Sequence, residues 1–174
     1  MNNLLDRMLR AALLDVQLYE EVEADQEAMG QAIAVVVLSN MAAGIGNIGQ
    51  GGLSGILLGA ILALVGWFIW AYITYFIGTK ILPEPQTRAD LGELMRTIGF
   101  SSSPGLLRVF GFVPLLGPII VLAASIWMLV SMVIAVRQAL DYQSTYRAIG
   151  VCVIGWIFYI IIMIMFTILF VAAL

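Results

Sequence analysis

The sequence predicts an all-α, polytopic membrane helix bundle of five membrane segments, the third short or re-entrant, with an amphipathic helix at the N-terminus. Three observations carry this. Of the 174 residues, 62% are hydrophobic and 11% charged; soluble domains average about 45–50% and about 25%, so this chain cannot clothe a soluble core in polar side chains. Several uncharged runs reach the roughly 20 residues that a helix needs to span hydrocarbon. The breaks between those runs fall at glycine, proline and charge, which stop helices and anchor interfaces.

Composition also excludes chemistry. There is no histidine, so the usual general base and the commonest metal ligand are missing. Cys152 is the single cysteine and lies in an apolar run. It reads as a buried structural thiol, and neither an intrachain disulfide nor a thiolate metal cage can form. No catalytic residue, cofactor or metal is expected. The net charge is −3, with acidic residues crowded between Asp15 and Glu27. Nucleic-acid binding needs a basic surface that is not present.

Residues 1–27 form the first unit, an acidic amphipathic helix. Leu5, Met8, Leu9, Ala12, Leu13, Val16 and Tyr19 recur at helical spacing. Arg7 and Arg10 are placed among lipid headgroups, with the apolar stripe against the acyl boundary. The acidic run from Glu20 to Glu27 points to water or to a basic partner.

Residues 28–174 form the membrane unit, with spans expected at about 28–48, 53–77, 103–112 (short), 116–136 and 148–173. The first span is uncharged and carries Ser39 and Asn40, polar groups that usually turn toward another helix. The string Gly44-x-Gly46-x-x-Gly49 that follows nominally matches a dinucleotide fingerprint. It lacks the flanking strand and the acidic residue about 20 positions on that the fingerprint requires, so a tight turn between spans explains it better. In the second span Gly51, Gly55, Gly59 and Ala63 are spaced four apart. That places small residues on one face as a helix-packing seam, internal or against a partner. Trp67, Trp70, Tyr72 and Tyr75 cluster toward its far end as an interfacial aromatic belt.

Pro83 and Pro85 stop that helix. Thr87-Arg-Ala-Asp90 resembles a capping box with Asp in place of Glu. It opens a short interfacial helix with Leu91, Leu94, Met95 and Ile98 on one face and Arg88, Glu93 and Arg96 toward water. From Pro104 to Val136 the run is too long for one straight span and too short for two ideal ones. Pro114 and Pro118 break it, giving a short segment over 103–112, a turn over 113–118 and a full span. The charges test the count. If the short segment crosses or re-enters, the loops holding Lys80, Arg88, Arg96, Arg137 and Arg147 fall on the side of Arg7 and Arg10, the cytoplasmic side, and the C-terminus lies outside. Arg108 falls within the short segment; together with Asn40 it is a candidate membrane-embedded polar group.

At this point the residues resemble a family. The acidic-headed first span, the block Arg96-Thr-Ile-Gly-Phe100-Ser-Ser-Ser-Pro104, Pro114 and Pro118, Trp127, and the loop motif Ala135-Val136-Arg137-Gln138-Ala139 with Ala148-Ile149 are similar to the Yip domain (Ypt-interacting protein) membrane proteins in their prokaryotic form. The resemblance covers most of 25–174 and implies five segments with a cytoplasmic N-terminus in a prokaryotic cytoplasmic (inner) membrane. The vesicle-traffic and small-GTPase roles of eukaryotic members are not carried over, because the acidic-glycine and tyrosine-rich motifs associated with them do not occur here.

The expected function is a non-enzymatic scaffold or accessory subunit. Its partners would be the lipid bilayer and other membrane proteins or a larger membrane complex, with a homo-oligomer compatible and no nucleic acid. The alternative is a small transporter or channel built around Arg108 and Asn40, although no intramembrane Asp or Glu offers a proton relay. An enzyme built on Ser101-Ser102-Ser103 lacks a base to activate a nucleophile.

Overall fold

The computed structural model describes residues 3–47 and 52–172. Among these the chain is helical, with no strand. The α-helices are α1 (Leu4–Ala12), α2 (Val16–Ala24), α3 (Ala28–Gly46), α4 (Gly52–Phe76), α5 (Leu91–Phe100), α6 (Gly117–Ala139) and α7 (Thr145–Ala172). A π-helical turn, Ile77–Ile81, extends α4, and a 3₁₀ helix, Ser103–Phe112, follows α5. Among the described residues four helices are long and apolar enough to cross a membrane: Ala28–Gly46, Gly55–Ile81, Gly117–Ala139 and Thr145–Ile162.

The N-terminal unit corrects the expectation of one amphipathic helix. Leu14 has a positive φ of 63°, and the chain turns there. Asp15 then caps α2, its carboxylate accepting from the Gln17 amide at 3.0 Å. Arg7 and Arg10 turn to carboxylates of α2 and its caps. Arg7 is 2% exposed, and it donates to Glu21 and Asp25 at 2.8 and 2.7 Å and to Gln31 of α3 at 3.0 Å. Arg10 bridges Asp15 and Glu21, both at 2.8 Å. Two guanidinium groups thus neutralise part of the acidic run and fold α1 back on α2. On the outer side of α1 and the turn after it Leu5, Leu9 and Leu13 are exposed, beside Asp6.

The pair α1–α2 climbs along α6. The Tyr19 hydroxyl meets Ser131 Oγ at 2.6 Å, and Trp127 Nε1 donates to the Ala12 carbonyl at 2.8 Å. At the other end of α2, the buried Arg96 of α5 donates to the Val22 and Glu23 carbonyls. Those last-turn carbonyls have no intrahelical donor, which is why Arg96 turns inward rather than to water. The cap of α5 is also displaced by one turn from the expected position. Asp90 accepts from the Glu93 amide at 2.8 Å while Glu93 accepts from the Asp90 amide at 2.7 Å, a full capping box. Thr87 instead accepts from the Glu84 amide at 2.9 Å.

The 3₁₀ helix is positioned by glycine. Gly99, Gly105 and Gly111 recur every six residues and meet Ala32, Ser39 and Gly46 of α3, themselves seven apart. A Cβ at Gly99 would sit 2.8 Å from the Ala32 Cβ, one at Gly105 would strike Ser39 Oγ, and one at Gly111 would lie 3.1 Å from the Gly46 carbonyl oxygen. Gly99 belongs to α5 and the other two to the 3₁₀ helix; the tighter helix rises about 2.0 Å per residue against about 1.5 Å in α3, so it covers a comparable length of α3 in fewer residues. The segment from α5 through the 3₁₀ helix therefore runs alongside α3 for most of its length. The chain then turns at Pro114–Leu116, where Leu115 has φ 63°, and Pro118 opens α6 at a position that needs no amide donor.

One end of the bundle gathers the polar links. Tyr142, after α6, donates to the Gly78 and Leu82 carbonyls at 2.9 and 2.7 Å, and Glu84 accepts from the Gln143 amide at 3.0 Å and pairs with Arg147 at 3.4 Å. The end of α4, the α6–α7 link and α2 thus share one side. Cys152 is buried in the core.

Candidate functional site

Two cavities draw in most of the residues singled out from the sequence. The first, about 530 Å³, lies part-way along the bundle between α4 and α6, and α3, α5, the 3₁₀ helix and α7 complete its wall. Asn40 and Arg108 both line it, although 68 residues separate them. Arg108 reaches it because Gly105 has no side chain. Its Nε donates to the Gly105 carbonyl at 3.3 Å, and Nη2 donates to the Ser39 carbonyl at 3.3 Å and to Ser39 Oγ at 3.1 Å. Among the described residues no carboxylate pairs with it, and its Nη1 makes no hydrogen bond. Asn40 donates to the Val36 carbonyl at 2.9 Å.

Trp67 and Trp70 also line this cavity. The interfacial belt expected of them is corrected, because both are 9% exposed while Tyr72 is 53% exposed. Trp70 is held edge-on by Trp156 and Tyr159, with ring centroids 6.4 and 6.1 Å apart. Both indole nitrogens are buried without a hydrogen-bond partner. Three-residue spacing put the two indoles on one face, but nothing in the sequence told inward from outward.

The second cavity, also about 530 Å³, lies at the polar end. The loop motif meets the acidic N-terminal unit there. Gln138 donates to Glu20 at 3.1 Å, and Arg137 holds the following link through the Tyr142 and Gln143 carbonyls at 3.2 and 3.4 Å. Glu23, Glu93 and Asp141 share the wall. Burial, and then the charges of Asp141 and Glu93, push the Glu23 carboxyl up to about 7. Among the described residues no group of three or more His, Cys, Asp or Glu side chains is placed to hold a metal ion.

The glycine row of α4 is divided. Ala63 lines the first cavity. A Cβ at Gly55 or Gly59 would meet no atom within 4 Å. Gly51 lies outside the described residues.

The comparison with family models bears on these features together. The model described as Yip1 domain matches residues 17–172, nearly the whole chain. The chain belongs to the Yip1 domain family. The match begins at α2 and runs through α7, so both cavities of this Yip1 domain fall inside it. As a member of that family with four apolar helices of spanning length, it is an integral membrane protein. No curated protein and no solved structure matches it.

Proposed function

We propose that this Yip1 domain protein is a non-enzymatic scaffold or accessory subunit that packs against another membrane protein through the outer face of α4. The observation that carries the reading is the pair Gly55 and Gly59, where an added Cβ would meet no described atom within 4 Å outside the backbone of their own helix. Glycine in a helix interior costs about 0.5–1 kcal/mol relative to alanine. Close approach of another backbone offsets that cost in membrane helices, and here the described residues supply none. Leu57, Leu58, Ile61 and Leu62 around them are also exposed.

The polar end is taken as cytoplasmic, with Lys80, Arg88, Arg96, Arg137 and Arg147 at or near it. The 3₁₀ helix then counts as a short fifth crossing, which leaves the C-terminus outside and fits a prokaryotic cytoplasmic membrane. The outward row Leu5, Leu9 and Leu13 fits an α1 lying against acyl chains.

The test is cross-linking in native membranes from a single cysteine, with Cys152→Ser as background. Gly59→Cys is expected to give one adduct of fixed mass, and Ile119→Cys on exposed α6 none. Equal labelling at both positions, or none at Gly59→Cys, contradicts the reading. A small transporter is the second reading. It is favoured by Arg108 and Asn40 sharing one cavity part-way through the bundle, where transporter sites lie.

A further inference from the structure

We infer that the cavity between α4 and α6 is a binding site for the headgroup of an anionic phospholipid taken from the surrounding bilayer. This does not rest on the α4 contact proposed above. Three observations carry it. The first is charge: Arg108 is a permanent cation within the membrane unit, and among the described residues no carboxylate balances it. An ionised side chain at such depth is costly unless paired, and its Nη1 donors are unspent.

The second is the unspent donor. Buried donors are nearly always satisfied. A guanidinium edge with an unspent nitrogen in the cavity asks for a ligand that presents oxygens and a negative charge. A phosphodiester does so, and a guanidinium matches its geometry.

The third is access. The cavity's rim includes Leu129 and Trp156, both exposed on the outer surface of the bundle. In a membrane those side chains face acyl chains, so the cavity is reached sideways from the lipid. Its volume lies within the range of about 300–1,000 Å³ typical of ligand pockets. An amphiphile whose chains remain among the surrounding lipid while its headgroup enters toward Arg108 meets both requirements. A free anion would instead have to cross hydrocarbon to reach the site.

The experiment uses the full chain, purified in detergent, stripped of lipid and titrated with phosphatidylglycerol, phosphatidylcholine or inorganic phosphate. Bound lipid is read by native mass spectrometry. Phosphatidylglycerol is expected to bind at least about tenfold more tightly than phosphatidylcholine, with inorganic phosphate failing to displace it. Loss of a charge-assisted hydrogen bond is worth roughly tenfold or more, so Arg108→Gln should weaken phosphatidylglycerol by about that factor. Equal affinity for the two lipids, or an Arg108→Gln protein that keeps full affinity, overturns the inference. Displacement by inorganic phosphate overturns the lipid source. Should Arg108→Gln fail to fold, Ala63→Phe fills the cavity from the α4 side; unchanged affinity there overturns the inference as well. Gly59→Leu is expected to bind lipid as the parent does, so failure of the α4 contact and failure of this site are told apart.

Discussion

Arg7 of α1 and Asp25, the residue that ends α2, form an ion pair at 2.7 Å with the guanidinium 2% exposed. Glu21 and Gln31 complete its shell, so one side chain ties α1, α2 and α3 together. Removing one partner of a buried pair costs about 3–5 kcal/mol. Both carboxylates remain about a third exposed, which places Arg7→Gln near the lower end, at about 3 kcal/mol. Chemical denaturation in detergent checks this. The triple variant Arg7→Met/Glu21→Gln/Asp25→Asn should recover part of the loss, because it leaves no charge unpaired.

The same unit predicts two opposed pH dependences. Hydrogen bonds from Arg7 hold Asp25 below its ordinary range, and those from Arg10 do the same for Glu21. Folded values below unfolded ones mean stability that is complete above the ordinary carboxylate range and lost as pH falls through the folded values. Glu23 behaves the other way, raised from 4.5 to about 7. Its contribution is complete below about 4.5 and is lost as pH rises through 7. Melting between pH 4 and pH 8 should therefore show a decline on the rising side that Glu23→Gln removes. An identical profile for that variant contradicts the burial of Glu23 among Asp141 and Glu93.

Glycines of the two rows should respond oppositely. A side chain at Gly105 would strike Ser39 and lie 2.8 Å from Met128 Sδ, and one at Gly46 would run into the Arg108 carbonyl. Gly105→Ala and Gly46→Ala should each cost about 1–3 kcal/mol, the range for overpacking. Gly59→Ala has open space and should be neutral, or stabilising by up to about 1 kcal/mol through helix propensity. Thermal melting of the three variants side by side checks the order.

These contrasts mark what was legible in the sequence. Uncharged length gave the long helices, and proline positions gave the turn before α6, because helix length and imino geometry are local properties. The glycine row 99, 105, 111 was equally visible but carries a period of six, which falls on no single face of an α-helix. Its meaning depends on a 3₁₀ helix laid against an α-helix with a different rise. The partners of Arg7 were hidden for another reason. Helical periodicity continues through Leu13 and Leu14, and only the turn at Leu14 brings Arg7 back to Glu21. Asn40 and Arg108 were each identifiable as polar groups in apolar runs, but their shared cavity is a product of packing.

Tyr19 and Ser131 supply a fourth prediction. Their hydroxyls meet at 2.6 Å in the core, and Tyr19 also donates to the Ala11 carbonyl at 3.2 Å. Tyr19→Phe keeps the ring and should cost about 1–2 kcal/mol, with Ser131 left short of a partner. Hydrogen exchange should rise at α1 and α2 and stay unchanged in α7.

The proposed role depends on the outer face of α4 meeting another membrane protein. Gentle detergent extraction followed by native mass spectrometry, on the parent and on Gly55→Leu/Gly59→Leu, tests it most directly. The parent is expected to migrate in a larger complex of fixed stoichiometry, and the variant to be folded, to melt as the parent does and to migrate alone. A variant that stays in the complex, or a parent that never enters one, would contradict the claim.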